Sequence, residues 1–150
     1  MLKVAAVQMT SSTDFNANLR EAERLMQEAK QRGAELILLP ENFACYGGDY
    51  RELAEQQGAA LQAWLQYWAK THEVTLISGT IPLAQRADGT GVRGGRVRSA
   101  CLMYSAQGAL LGRYDKLHLF DVSGDDAQGR YCESDIFEPG DRLLGRTAGP

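Results

Sequence analysis

The sequence predicts an α/β fold with a layered sheet, and three observations carry that prediction. Short, almost wholly apolar runs end in turn residues. Segments with apolar residues at helical spacing separate the first of these runs. A pair of runs joined by a short polar link closes the series. The first run, residues 2–9, is β-compatible and reads as a buried strand rather than a signal peptide, because polar Gln8 interrupts it. The "SSTD" that follows supplies N-cap candidates. Over residues 15–32, Leu19, Ala22, Leu25, Met26 and Ala29 recur at helical spacing, and Gly33 is the expected stop. "ELILLP" reads as a second strand, apolar enough to be covered on both faces. Residues 53–70 form the second helical segment, with a break expected near Gly58 and a core stripe of Leu61, Trp64, Leu65 and Trp68. "VTLISGTIPL" is the third strand, and the glycine- and arginine-rich residues 84–98 are a surface loop. "SACLMYS" and "LLGRYDK", joined by "AQG", make a hairpin.

Residues 121–150 differ: neither period is visible and glycines recur. So long a structureless run is uncommon in a complete compact domain. Residues 1–150 are therefore expected to be the N-terminal portion of a single larger domain.

Composition narrows the class. A hydrophobic fraction of 44% and a charged fraction of 23% are those of a globular chain with a real core. A net charge of −3 argues against a nucleic-acid or anionic-membrane partner. No apolar run approaches the roughly 20 residues of a membrane span. Three cysteines, an odd number without close pairing, point to a reduced, cytoplasmic protein. No two have the spacing of a zinc clamp, and His72 and His118 are far apart in sequence.

Three polar positions are candidates for chemistry. Glu41, in "ILLPENFACYGG", sits just past a strand end, where open α/β sheets form their active crevice. Its alternative reading is a helix cap or a solvated acid. Lys116, in "YDKLHLFD", closes the hairpin and enters apolar residues 117–120. A partly buried lysine there needs a carboxylate partner and could stabilise developing negative charge. The alternative is an edge-strand lysine that blocks aggregation. Glu133, in "YCESDIFEPGD", is a second active-site carboxylate or a loop acid. A nucleophile wants a firm elbow or a helix N-terminus. Cys132 lies in irregular chain, Cys45 on a turn and Cys101 in a core strand, so none of the three is favoured. His118 has no partner nearby in sequence.

Taken together, "KVAAVQM", "LILLPENF", "ISGTIP", "YDKLHLFD" and "ESDIFEPGD" resemble the nitrilase, or carbon–nitrogen hydrolase, superfamily, in its order and nearly end to end. The resemblance implies a four-layer α-β-β-α sandwich of which only the N-terminal half is present, paired into homodimers when complete. It implies a Glu-Lys-Cys triad that hydrolyses small-molecule amides through a thioester, with no metal or organic cofactor. Glu41 resembles the general base, Lys116 the oxyanion-side lysine and Glu133 the second glutamate that positions substrate and lysine. The cysteine does not carry over. It follows a further strand in the family, beyond residue 150. "HLFDV", a glycine-bearing insert and "CES…PG" look most like the branch that hydrolyses deaminated glutathione. An ω-amidase acting on small 2-oxo acid amides, or a non-catalytic binding protein of the same fold, are the alternatives. Arg86, Arg93, Arg96 and Arg98 are read either as a solvated loop or as ligands for a substrate carboxylate. Residues 1–150 expressed alone are expected to be poorly folded or to aggregate, since half a sheet exposes apolar surface and an open edge. A cooperative, monomeric melt with native-like NMR dispersion would contradict this.

Overall fold

The computed structural model describes residues 1–123 and 130–145. Three parallel strands begin it: β1 (Val4–Ala6), β2 (Leu36–Leu38) and β3 (Thr75–Ile77), in register with Ala5 opposite Ile37 and Ile37 opposite Leu76. Their connections are α1 (Phe15–Gln31) and α2 (Tyr50–Thr71). Asp14 caps α1 by accepting from the Ala17 N–H, and Asp49 caps α2 by accepting from Arg51 and Glu52. α1 ends where Gly33 takes φ +84°. α2 is unbroken. Gly58 is a buried helical residue lying against Pro82 and Leu83, not a break.

The run read as one third strand is interrupted. β3 and β4 (Ile81–Leu83) both pair antiparallel with the same strand, β5 (Arg98–Tyr104). Ile77 faces Met103 and Ile81 faces Ala100, so four steps on one side match three on the other. The extra residue makes a bulge at Ser78–Gly79–Thr80. Ser78 closes the ladder across it: its N–H donates to the Leu102 carbonyl and its Oγ accepts from the Leu102 N–H, both at 2.9 Å. Gly79 holds φ +62°, and a Cβ there would fall 2.5 Å from the Leu39 carbonyl oxygen and closer still to that of Pro40. On its other edge β5 pairs with β6 (Leu110–Asp115), the hairpin expected from the sequence.

Both helices contribute to one core, where Ala22 and Met26 of α1 and Leu61, Leu65 and Trp68 of α2 share a cluster with Ile37, Leu76, Ala100 and Leu102 of the sheet. Helices and sheet are thus two of the expected layers. The expectation that β2 is covered on both faces does not hold within the described residues: Leu38 is 38% exposed, because both helices lie on the same side.

Residues 121–123 and 130–145 carry more structure than their pattern suggested. β7 (Asp121–Ser123) pairs with β8 (Arg130–Cys132), and a 3-10 turn, Glu133–Asp135, follows. The chain then runs beside Val97. The Val97 N–H donates to the Ile136 carbonyl (3.0 Å), the Glu138 N–H to the Val97 carbonyl (2.8 Å), and the Gly140 N–H to the Lys116 carbonyl (2.8 Å).

The bulge makes a stability prediction. Gly79→Ala meets both a left-handed backbone and two carbonyl oxygens, and should destabilise by about 3 kcal/mol or more. Gly89→Ala, at φ +85° with nothing among the described residues within 4 Å of the added Cβ, should cost about 1 kcal/mol. Urea midpoints of the two variants check this, and equal shifts would mean that the close approach is unimportant.

Candidate active site

Glu41 lies three residues past the end of β2, and its backbone makes a parallel bridge to Thr80 beyond β3. Lys116 follows directly on β6, its N–H donating to the Ser99 carbonyl at 2.9 Å. Glu133 opens the 3-10 turn. The fold brings all three together. The Lys116 Nζ donates to Glu41 Oε1 at 2.9 Å and to Glu133 Oε1 at 3.0 Å, with Glu133 Oε2 also at 2.9 Å.

The two carboxylates are not equivalent. The Glu133 side chain is 8% exposed, and its Oε2 also accepts the Phe120 N–H at 2.7 Å, while the Glu133 N–H donates back to the Phe120 carbonyl. Both of its oxygens are thereby engaged. The Glu41 side chain is 54% exposed, and among the described residues only its Oε1 is hydrogen-bonded. An ammonium has three donors, so two carboxylates leave one N–H for another acceptor. Burial of Lys116 favours its neutral form, but the hydrogen bonds and charges of Glu41 and Glu133 outweigh it and hold the ammonium above the ordinary lysine value of 10.5. The stability contributed by these ion pairs is therefore fully present below about pH 10.5 and is lost as pH rises through the raised value.

None of the three thiols, Cys45, Cys101 and Cys132, is bonded to the lysine or to either carboxylate. Burial pushes the Cys45 and Cys101 thiols up, which favours their protonated form. His118 is exposed. Residues 117–120 do not form a buried run, since the Phe120 ring is 58% exposed against Tyr131, at a centroid distance of 6.1 Å.

Several supporting residues gave no usable signal in the sequence. Asn18 on α1 reaches across to the loop after Glu41, donating to the Ala44 carbonyl at 2.9 Å. Glu138 clamps the segment after Glu133 to the sheet. It receives Arg86 in a two-pronged contact (2.9 and 3.0 Å) and stands 3.3 Å from Arg98, which in turn donates to the Pro139 carbonyl. Arg86 and Arg98 are thus committed to an internal ion pair, and Arg98 belongs to β5 rather than to the loop. The reading of these two as ligands for a substrate carboxylate is withdrawn.

With the fold and this geometry in hand, the chain belongs to the carbon-nitrogen hydrolase family, whose model matches residues 3–148. It is 36% identical over 132 residues to a deaminated glutathione amidase of Synechocystis, covering 87% of this chain and 46% of that one. A deaminated glutathione amidase of Yersinia enterocolitica is 32% identical, with 93% of this chain and 48% of that one covered. An omega-amidase of Xenopus tropicalis is 34% identical at the same coverage. The chain spans about half the length of the curated relatives it matches. Among solved structures, the NitFhit protein of C. elegans superposes with a TM-score of 0.75 at 23% identity, over 96% of this chain and 35% of that one. An amidase of Nesterenkonia sp. AN1 superposes at 0.74 and 21%, over 99% and 54%. In a glutamate-to-glutamine mutant of that amidase, acrylamide has added to the active-site cysteine. These likenesses assign the architecture to the nitrilase fold.

Removing one partner of the trio should expose its energetics. Lys116→Met leaves Glu133 buried without its cation and should cost about 3 kcal/mol, the scale of breaking a buried pair from one side. Adding Glu133→Gln should recover at least half of that loss. Chemical denaturation of wild type, both single variants and the double variant measures the coupling. Strict additivity would mean that the contact is energetically idle.

Proposed function

We propose that the whole protein is an amidase that hydrolyses linear amides through a Glu-Lys-Cys triad, with Glu41 as general base and Lys116 as oxyanion donor. The observation that carries this reading is the Lys116 ammonium bonded at 2.9 and 3.0 Å to Glu41 and Glu133 beyond the strand ends. The asymmetry of the carboxylates supports separate roles. Glu133, buried and saturated, holds the lysine. Glu41, half open, keeps an oxygen for proton transfer. The nucleophilic cysteine is assigned to the part of the family domain not represented in these residues.

On this reading Glu41 takes the thiol proton and the thiolate attacks the amide carbon. The remaining Lys116 N–H stabilises the oxyanion of the tetrahedral intermediate. Collapse breaks the C–N bond. The nitrogen leaves as ammonia with the proton held by Glu41, and a thioester remains. Water, deprotonated by the same carboxylate, attacks the thioester and releases the acid and the thiol. Deaminated glutathione is the proposed substrate, supported by the two relatives of that name. The omega-amidase relative supports a second reading with smaller 2-oxo amides. Pairing of two chains through their sheets and residence in the cytoplasm belong to the same proposal.

Glu41→Gln should leave the fold intact and reduce ammonia release by ~10²-fold or more, the scale of general acid–base catalysis. Unchanged turnover would end the assignment. A steady-state comparison of deaminated glutathione with 2-oxoglutaramate separates the two substrate readings. A higher kcat/KM for the former is expected, and the reverse order would transfer the function to the omega-amidase reading.

A further inference from the structure

We infer that Thr80 is a positioning residue for the Glu41 carboxylate; the inference rests on the amidase reading and adds to it a residue that never touches substrate. The need for such a residue follows from exposure. At 54% exposed, the Glu41 side chain is held by little besides its bond to Lys116. A carboxylate so loosely packed takes its aim from its own backbone.

That backbone is set at Thr80 from two sides. Glu41 is bridged in parallel to Thr80. The next residue, Asn42, sits at φ +53°, in the left-handed region that asparagine accepts more readily than other residues with a side chain, and is only 9% exposed. Its N–H donates to Thr80 Oγ1 at 3.0 Å, and the Thr80 hydroxyl faces Asn42 Oδ1 at 3.4 Å. The Asn42 carbonyl then accepts the Cys45 N–H at 3.1 Å, starting the turn that leads to α2. Without the Thr80 oxygen, a largely buried amide would stand unpaired, and satisfying it elsewhere rotates the peptide that carries Glu41.

Thr80 is itself firmly placed. It ends the bulge, and its neighbour Ile81 pairs with Ala100 of β5. On the opposite edge of β5 the same Ala100 pairs with Asp115, the neighbour of Lys116. The base and the lysine are therefore hung from one residue of one strand, Thr80 being the link on the base's side. Tenths of an ångström at such a link matter, because misplacing a reacting group by about 1 Å can reduce a rate ~10²-fold.

The test uses the protein with its whole family domain and three variants. Thr80→Val keeps the shape and removes the acceptor, Thr80→Ser restores the acceptor, and Glu41→Gln is the reference. Thr80→Val should lower kcat by roughly 10- to 100-fold with KM within about twofold, while Thr80→Ser stays within about threefold of wild type. Wild-type kcat in Thr80→Val, or an equal loss in Thr80→Ser, would overturn the inference while leaving the amidase reading in place. Wild-type turnover in Glu41→Gln would overturn both. Should Thr80→Val fail to fold, amide exchange in the wild type answers independently of activity. The Asn42 N–H should be protected, and exchange at the rate of an open loop would overturn the inference.

Discussion

One lysine held between two carboxylates is the constraint on which this structure turns. Glu41 and Lys116 are 75 residues apart in sequence, Glu133 a further 17 beyond the lysine, and the three meet within 3.0 Å. Ionised groups at this distance and partial burial are favourable only when correctly paired. Every element around them can be read as fixing that pairing. The parallel strands deliver Glu41, the hairpin delivers Lys116, and the segment after β8 folds back to close Glu133 over the lysine.

The central strand, β5, carries most of this frame. One edge holds the bulged β3–β4 run and hence the glutamate. The other holds β6 and hence the lysine. Below them the Glu138 carboxylate, set between Arg86 and Arg98, ties the segment after Glu133 to the start of the same strand. Glu138 is held below the usual carboxylate range, first by its hydrogen bonds from Arg86 and then by the charge of Arg98. These side chains share no hydrogen bond with those of Glu41, Lys116 or Glu133, and their part in the chemistry is indirect.

How much of this could be read from the sequence depended on the range of the interaction. The helices, β2 and the β5–β6 hairpin announce themselves through local period, caps and turn residues. Glu41 and Lys116 stood out because each sits just past a strand end. Glu133 was visible as a candidate, but the pattern could not separate it from a loop acid, since its role depends on the Phe120 backbone and on Lys116. The bulge at Gly79 was invisible for a related reason: "TLISGTIPL" alternates well enough for one strand, and the extra residue appears only against β5. Residues 136–140 looked structureless because their hydrogen-bond partners, Val97 and Lys116, belong to distant segments. The same applies to Arg86 and Arg98, which the sequence offers as loop cations and the fold commits to Glu138.

The most direct measurement is the titration of the Lys116 ε-amino group by NMR, followed at its 13Cε and 15Nζ resonances in the wild type and in Glu133→Gln. A lysine clamped by two carboxylates should titrate above 10.5 in the wild type, and its midpoint should fall when Glu133 loses its charge. A wild-type midpoint at or below the ordinary lysine value, or one indifferent to Glu133→Gln, would contradict the pairing on which the account rests.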